Sequence, residues 1–151
     1  MIKLGRQSLP NEVAAQLFFD RERRRYFLYV PDQRQSPGGV VFERSSSMEQ
    51  KHTLIADLHT HDTMPAFFSP TDDRDEMGWR IFIVLGQLDK EIPECKIRVG
   101  ANGSFLDLSD RVGQLFDGDV SSRLRIKHLN EGSDVWERLR ERLRSKQERR
   151  N

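Results

Sequence analysis

Short apolar runs rich in aromatic and β-branched residues, separated by turn chemistry, dominate the first two-thirds of the chain. Arg24 to Val30 is the first, and it stops at Pro31; proline has no N–H to give to a ladder, so a strand ends there. A stretch rich in Gln, Ser, Pro and Gly follows, with Pro37-Gly38-Gly39 marking its turn, and Val40 to Glu43 makes the next run. Thr53 to His61 (Thr-Leu-Ile-Ala-Asp-Leu-His-Thr-His) is a third. Arg80 to Leu88 is the most apolar and reads as a central strand covered on both faces. Lys96 to Val99 and Ser104 to Leu108 flank Gly100-Ala101-Asn102-Gly103, which predicts a hairpin.

Helical signals lie elsewhere. Ser69-Pro70-Thr71-Asp72 combines an N-cap serine, proline at the first helical position and an acid at the third. Asp73, Asp75 and Glu76 add negative charge where the helix dipole favours it. From Ser133 onward Val135, Trp136, Leu139 and Leu143 recur at helical spacing among charged residues. This predicts a basic amphipathic helix over 131–151, a solvated helix packed by one thin stripe rather than a nucleic-acid arm. Strands mixed with helices predict an α/β or α+β domain around one sheet. No repeat or low-complexity tract interrupts it.

The chain has 151 residues, the length of one domain with a core of its own. Its 25 Lys and Arg against 24 Asp and Glu give a net charge of +1, so neither nucleic acid nor a membrane surface is implied as a partner. Cys95 is the only cysteine, which excludes a disulfide framework and a cysteine-rich zinc site. Its neighbours include no histidine, so a nucleophilic role is not expected either. No stretch has the apolar length of a membrane span. Met-Ile-Lys-Leu-Gly-Arg-Gln-Ser lacks the apolar segment of a secretory signal, so a cytoplasmic location is expected.

The chemistry concentrates in one place. Of the four histidines, His52, His59, His61 and His128, two form His59-Thr60-His61 at the end of a predicted strand. Residues at i and i+2 of a strand share a face about 6.5 Å apart, close enough for both imidazoles to reach one metal ion. A pair of surface histidines would look the same. The connection from Asp62 to Phe68 then leads to Ser69-Pro70-Thr71-Asp72, whose carboxylate can return to the same strand end as a third ligand. Asp72 is also the acid of a capping box, a role that would fix the carboxylate rather than compete for it. Asp73 and Asp75 point away from its helical face.

The pattern H-x-H-x7-S-x-x-D, running from His59 to Asp72 without a gap, resembles the signature of the JAMM (JAB/MPN) metalloproteases. That family also has an upstream glutamate in a Pro-x-Glu segment entering the first strand. Pro10-Asn11-Glu12-Val13-Ala14-Ala15-Gln16-Leu17 is similar to it, with Glu12 standing 47 residues before His59; Glu22 and Glu43 fit less well. The resemblance covers roughly residues 8 to 110. Departures are Asp62 where the family commonly has proline, Gln16 where it has glycine, and a missing or shortened first helix.

The resemblance implies a three-layer α/β domain of the JAMM type, a curved mixed sheet flanked by helices, over 1–130, with the helix of 131–151 added to it. It implies one Zn²⁺ per chain on His59, His61 and Asp72, leaving a fourth position open, with Glu12 as general acid and base and Ser69 as a donor to the developing oxyanion. The substrate implied is a ubiquitin-like protein tail or conjugate, as for bacterial JAB proteins found beside activating and conjugating enzymes or in plasmid-borne gene sets. Phe67-Phe68, just before Ser69, would line its groove or, as adjacent phenylalanines more commonly do, pack into the core. Two other readings exist. Asp57-Leu58-His59-Thr60-His61 also resembles the opening motif of PHP-type phosphoesterases, whose barrels need further histidines and usually well over 200 residues. A JAMM-like domain can also be a catalytically silent scaffold.

Overall fold

Nine residues, Thr53–His61, form the strand on which the rest of the domain is assembled. In the computed structural model, which describes residues 1–112, the elements in chain order are α1 (Ile2–Ser8), β1 (Ala14–Asp20), β2 (Arg25–Tyr29), β3 (Gln33–Ser36), β4 (Gly39–Phe42), α2 (Ser46–Lys51), β5 (Thr53–His61), α3 (Pro70–Asp75), β6 (Arg80–Gly86), β7 (Glu94–Ala101) and β8 (Ser104–Asp107). A six-stranded mixed sheet has the order β2-β1-β5-β6-β7-β8, and β3 and β4 form a separate two-stranded sheet. The barrel that a PHP-type phosphoesterase needs is not what the described residues build. The helix expected over 131–151, the boundary at 130 and His128 lie outside the described residues.

Every strand expected from the apolar pattern is present, with ends shifted by a few residues. The Asn102-Gly103 turn joins β7 to β8, both residues having positive φ. Three elements escape the pattern. Strand β1 is buried along almost its whole length and includes Gln16 at 0% exposure, so it shows no polar–apolar alternation. Strand β3 is Gln-Arg-Gln-Ser, and α2 has no buried residue to give it an apolar stripe. The shortened first helix exists as α1, whose Met1 and Ile2 enter the core with Val13, Ala56, Leu58 and Ile83.

Pairing is antiparallel throughout the sheet except between β5 and β6. A parallel pair needs a crossover, which residues 62–79 supply with α3. The C-terminal end of β5 is therefore a switch point, antiparallel to β1 on one side and parallel to β6 on the other. Such points leave a crevice beyond the strand ends. Where the crossover leaves β5 it passes directly over Gly86 of β6. A Cβ there would collide with the backbone of Met64, Pro65 and Ala66, so only glycine permits the passage.

Candidate metal centre

Alternation along β5 sorts its residues onto two faces. Ala56, Leu58 and Thr60 are buried beneath, while Asp57, His59 and His61 share the other face. The register with β1 places the glutamate. Ala14 pairs with His59, and one step on, Val13 N–H donates to Thr60 Oγ1 at 2.9 Å while Thr60 N–H donates to Val13 O at 3.0 Å. The next step sets Glu12 across from His61.

His61 Nδ1 lies 3.3 Å from Pro65 O, an acceptor, so Nδ1 carries the proton and the Nε2 lone pair is free. That Nε2 stands 3.2 Å from His59 Nε2, and His59 Nε2 stands 3.6 Å from Asp72 Oδ1. One ligand atom from each of the three residues lies within 4.8 Å of the others. Ligands about 2.0–2.2 Å from a tetrahedral zinc lie roughly 3.3–3.6 Å apart, so the donor set fits the ion. Burial is the largest influence on both imidazoles and holds both below the usual histidine range, against the pull of Asp72 on His59 and of the Pro65 carbonyl on His61. Both are therefore neutral at pH 7, as ligands must be.

Asp72 forms the capping box expected of it, and the same carboxylate faces the histidines. Its Oδ2 accepts from Ser69 N–H at 2.6 Å and its own N–H donates to Ser69 Oγ at 3.2 Å, a complete capping box. The other oxygen, Oδ1, is the one that faces His59. Glu12 is 5% exposed, and its carboxyl is pushed up to about 7 by burial first and then by Asp62 and Asp72. A cleft of ≈ 390 Å³ collects Glu12, His59, His61, Ser69 and Asp72 together with Phe67. Glu22 and Glu43 do not border it. Asp73 turns away to Arg98, as its helical position predicts, whereas Asp75 reaches the cleft rim without joining the ligand cluster.

Several participants left no usable mark on the sequence. The Pro65 carbonyl orients His61, and its role follows only from the path of the loop. Asp57, on the histidine face, accepts from Gln16, Arg80 and Arg44 at 2.9, 3.0 and 3.2 Å. Asp62 replaces the usual proline with φ of 28°, and its carboxylate accepts from the N–H groups of Thr63 and Met64. This Asx-type turn, which Asp tolerates, makes the sharp exit from β5. The Phe67-Phe68 pair is divided: Phe67 sits edge-on to the His61 ring, centroids 4.5 Å apart, while Phe68 lies under Arg98. Cys95 is half-buried with its thiol pushed up to about 11 by burial, which suits no nucleophile.

Residues 1–98 match the family described as prokaryotic homologs of the JAB domain. Among solved structures, the chain is similar to protein DSY2949 from Desulfitobacterium hafniense, a structural-genomics target solved in solution. The TM-score is 0.52 and the identity 20%, over 71% of this chain and 82% of that one. No curated protein matches the chain. Among the described residues no helix is long and apolar enough to cross a membrane.

Proposed function

Because the chain belongs to the prokaryotic homologs of the JAB domain, we propose that it is a zinc-dependent isopeptidase or peptidase that cleaves the tail of a ubiquitin-like protein or its conjugate. The observation that carries this reading is the convergence of His59, His61 and Asp72 beside a buried Glu12 in one cleft. His59, His61 and Asp72 would hold the ion. Zinc in such a site supplies Lewis acidity, which acidifies water and polarises a carbonyl.

The chain's own groups do the rest. Glu12, with its carboxyl near 7, takes a proton from the attacking water and returns it to the leaving amine. Ser69 Oγ accepts from the Asp72 N–H, so its hydroxyl proton remains available to the oxyanion that develops on the substrate carbonyl. The cleft runs between α3 and strand β4, which contributes Gly39, Val40 and Phe42. Among the described residues β4 pairs only with β3, so an extended tail can lie along it with backbone hydrogen bonds giving the affinity. A flexible, glycine-ended tail suits a close approach to the ion. Activating and conjugating enzymes of the same modification system are the expected associates, in the cytoplasm. The domain over 1–130 would supply the three-layer catalytic unit and 131–151 an appended helix.

The test is a panel of short fusions ending in glycine or in a bulky residue before the scissile bond, assayed with zinc. The glycine series is cleaved, and Glu12→Gln keeps zinc but loses about 10²–10⁴-fold in rate. Protein purified without chelator that carries no metal near one equivalent favours a scaffold, and equal cleavage of both series, or none of the glycine series, removes the tail preference.

A further inference from the structure

Helix α3 carries Asp72, yet none of its residues from Pro70 to Asp75 is buried. Isolated helices shorter than about 12–15 residues are marginal in water, and this one has no apolar face to compensate. Its contacts converge instead on one side chain of β7, Arg98, itself only 6% exposed. Arg98 Nε and Nη2 both donate to Glu76 Oε2, at 2.8 and 2.6 Å, and Nη1 donates to Asp73 Oδ1 at 2.5 Å. The guanidinium is stacked between two rings, its Cζ 3.9 Å from the centroid of Phe68 and 3.6 Å from that of Phe105. Phe68 precedes the helix, Asp73 lies within it and Glu76 is its C-terminal cap. One planar group thus holds the segment on both sides of Asp72, with β8 backing it through Phe105.

We propose that Arg98 is the positioning residue for the ligand Asp72, seating α3 on the sheet so that Oδ1 stays within reach of the two histidines. The inference rests on the metal-site reading above. Arginine suits the role because its rigid fork serves two carboxylates while its faces stack, which the point charge of lysine cannot do. Buried ion pairs add little net stability, and fixing geometry is their better-attested use.

The experiment compares wild type with Arg98→Met, Arg98→Lys and a control, Asp20→Ala. Asp20 is buried at the far β1–β2 turn, accepts from the Glu22 and Arg23 N–H groups at 3.0 Å each, and does not border the cleft. Two quantities are read: zinc affinity by competition with a chromophoric chelator, and hydrogen exchange of the Asp72, Asp73 and Glu76 amides in metal-free protein. Arg98→Met weakens zinc about 10–100-fold, the usual cost of losing a ligand's supporting partner, and speeds exchange at those amides while β5 and β6 stay protected. Arg98→Lys, which keeps a charge for Glu76 and so guards against simple misfolding, falls between. Asp20→Ala lowers the melting temperature without changing zinc affinity. Wild-type zinc affinity in Arg98→Met, or lost affinity with unchanged α3 exchange, overturns the proposal. A wild type that binds no zinc while Arg98→Met still loosens α3 overturns the hydrolase reading and leaves the clamp in place.

Discussion

The candidate metal centre takes its ligands from two regions built in opposite ways. His59 and His61 stand on β5, a strand paired on both sides in the sheet and packed through Ala56, Leu58 and Thr60. Asp72 stands on α3, a six-residue helix with no buried residue, held by a capping box and by charge contacts to Arg98. The first region is fixed by the same burial that makes the fold; the second is fixed by hydrogen bonds and ion pairs that can be removed singly. Two of the candidate ligands are therefore as firmly held as the sheet, and the third depends on its local supports.

The sharpest way to break this contrast is to delete one ligand from each region. Zinc binding free energies of about 10–16 kcal/mol shared over four positions give roughly 2.5–4 kcal/mol per ligand, a loss of about 60- to 700-fold. His61→Ala and Asp72→Ala should both show at least that loss in chelator competition. They should differ without the metal. His61→Ala leaves α3 as it is, whereas Asp72→Ala also removes the cap on the Ser69 N–H and costs a further ~0.5–2 kcal/mol in denaturant unfolding. Metal-free stability of Asp72→Ala equal to that of wild type would mean that the cap contributes nothing.

The two regions also respond oppositely to pH. Burial holds His59 and His61 below the usual range, so acidification favours the unfolded chain, which binds protons there first. Glu76 behaves in reverse. Burial, the largest cause, pushes its carboxyl up from 4.5 to about 7 in spite of the Arg98 hydrogen bonds. The folded state holds that proton more tightly than the unfolded chain, so stability is lost as pH rises from about 4.5 to about 7. Glu12 acts in the same direction. In metal-free protein Glu76→Gln should therefore raise stability at pH 8 relative to pH 5 by roughly 1–3 kcal/mol compared with wild type. An unchanged difference would show that Glu76 is already ionised at pH 5.

The same division explains what could be read from the amino-acid order. The ligand strand, the central strand β6 and the cap of α3 were legible because apolar runs and cap residues are local signals. His59, His61 and Asp72 were legible because their spacing is short. Glu12 came from resemblance; its physical reason, the step from the Ala14–His59 pair to His61, exists only once β1 and β5, whose paired residues Ala14 and His59 are 45 positions apart, come together. Arg98 and Phe105 had no local signal at all. An isolated arginine in an alternating run reads as a solvent-facing position, and only the β6–β7–β8 pairing brings it beneath α3. The long-range half of the site is invisible to periodicity because it is written in register.

The smallest effect separates two adjacent phenylalanines that the sequence presents as one aromatic pair. Phe67 is 45% exposed, packs edge-on to His61 and borders both the cleft and a neighbouring hollow of ≈ 350 Å³. Phe68 is turned under Arg98. An exposed ring beside the ion offers area to a passing substrate and little to the core, since a side chain half in water contributes only part of its burial energy. Aromatic contacts of about 0.5–1.5 kcal/mol correspond to roughly 2–13-fold. Phe67→Ala should raise KM for a glycine-ended fusion by about that factor, with kcat and zinc affinity unchanged, because Pro65 rather than Phe67 orients His61. Phe68→Ala should instead weaken zinc binding, having removed one face of the Arg98 stack. Steady-state kinetics with parallel chelator competition separates the two. If Phe67→Ala leaves KM unmoved, the substrate does not cross that ring and its path lies wholly on the β4 side of the cleft.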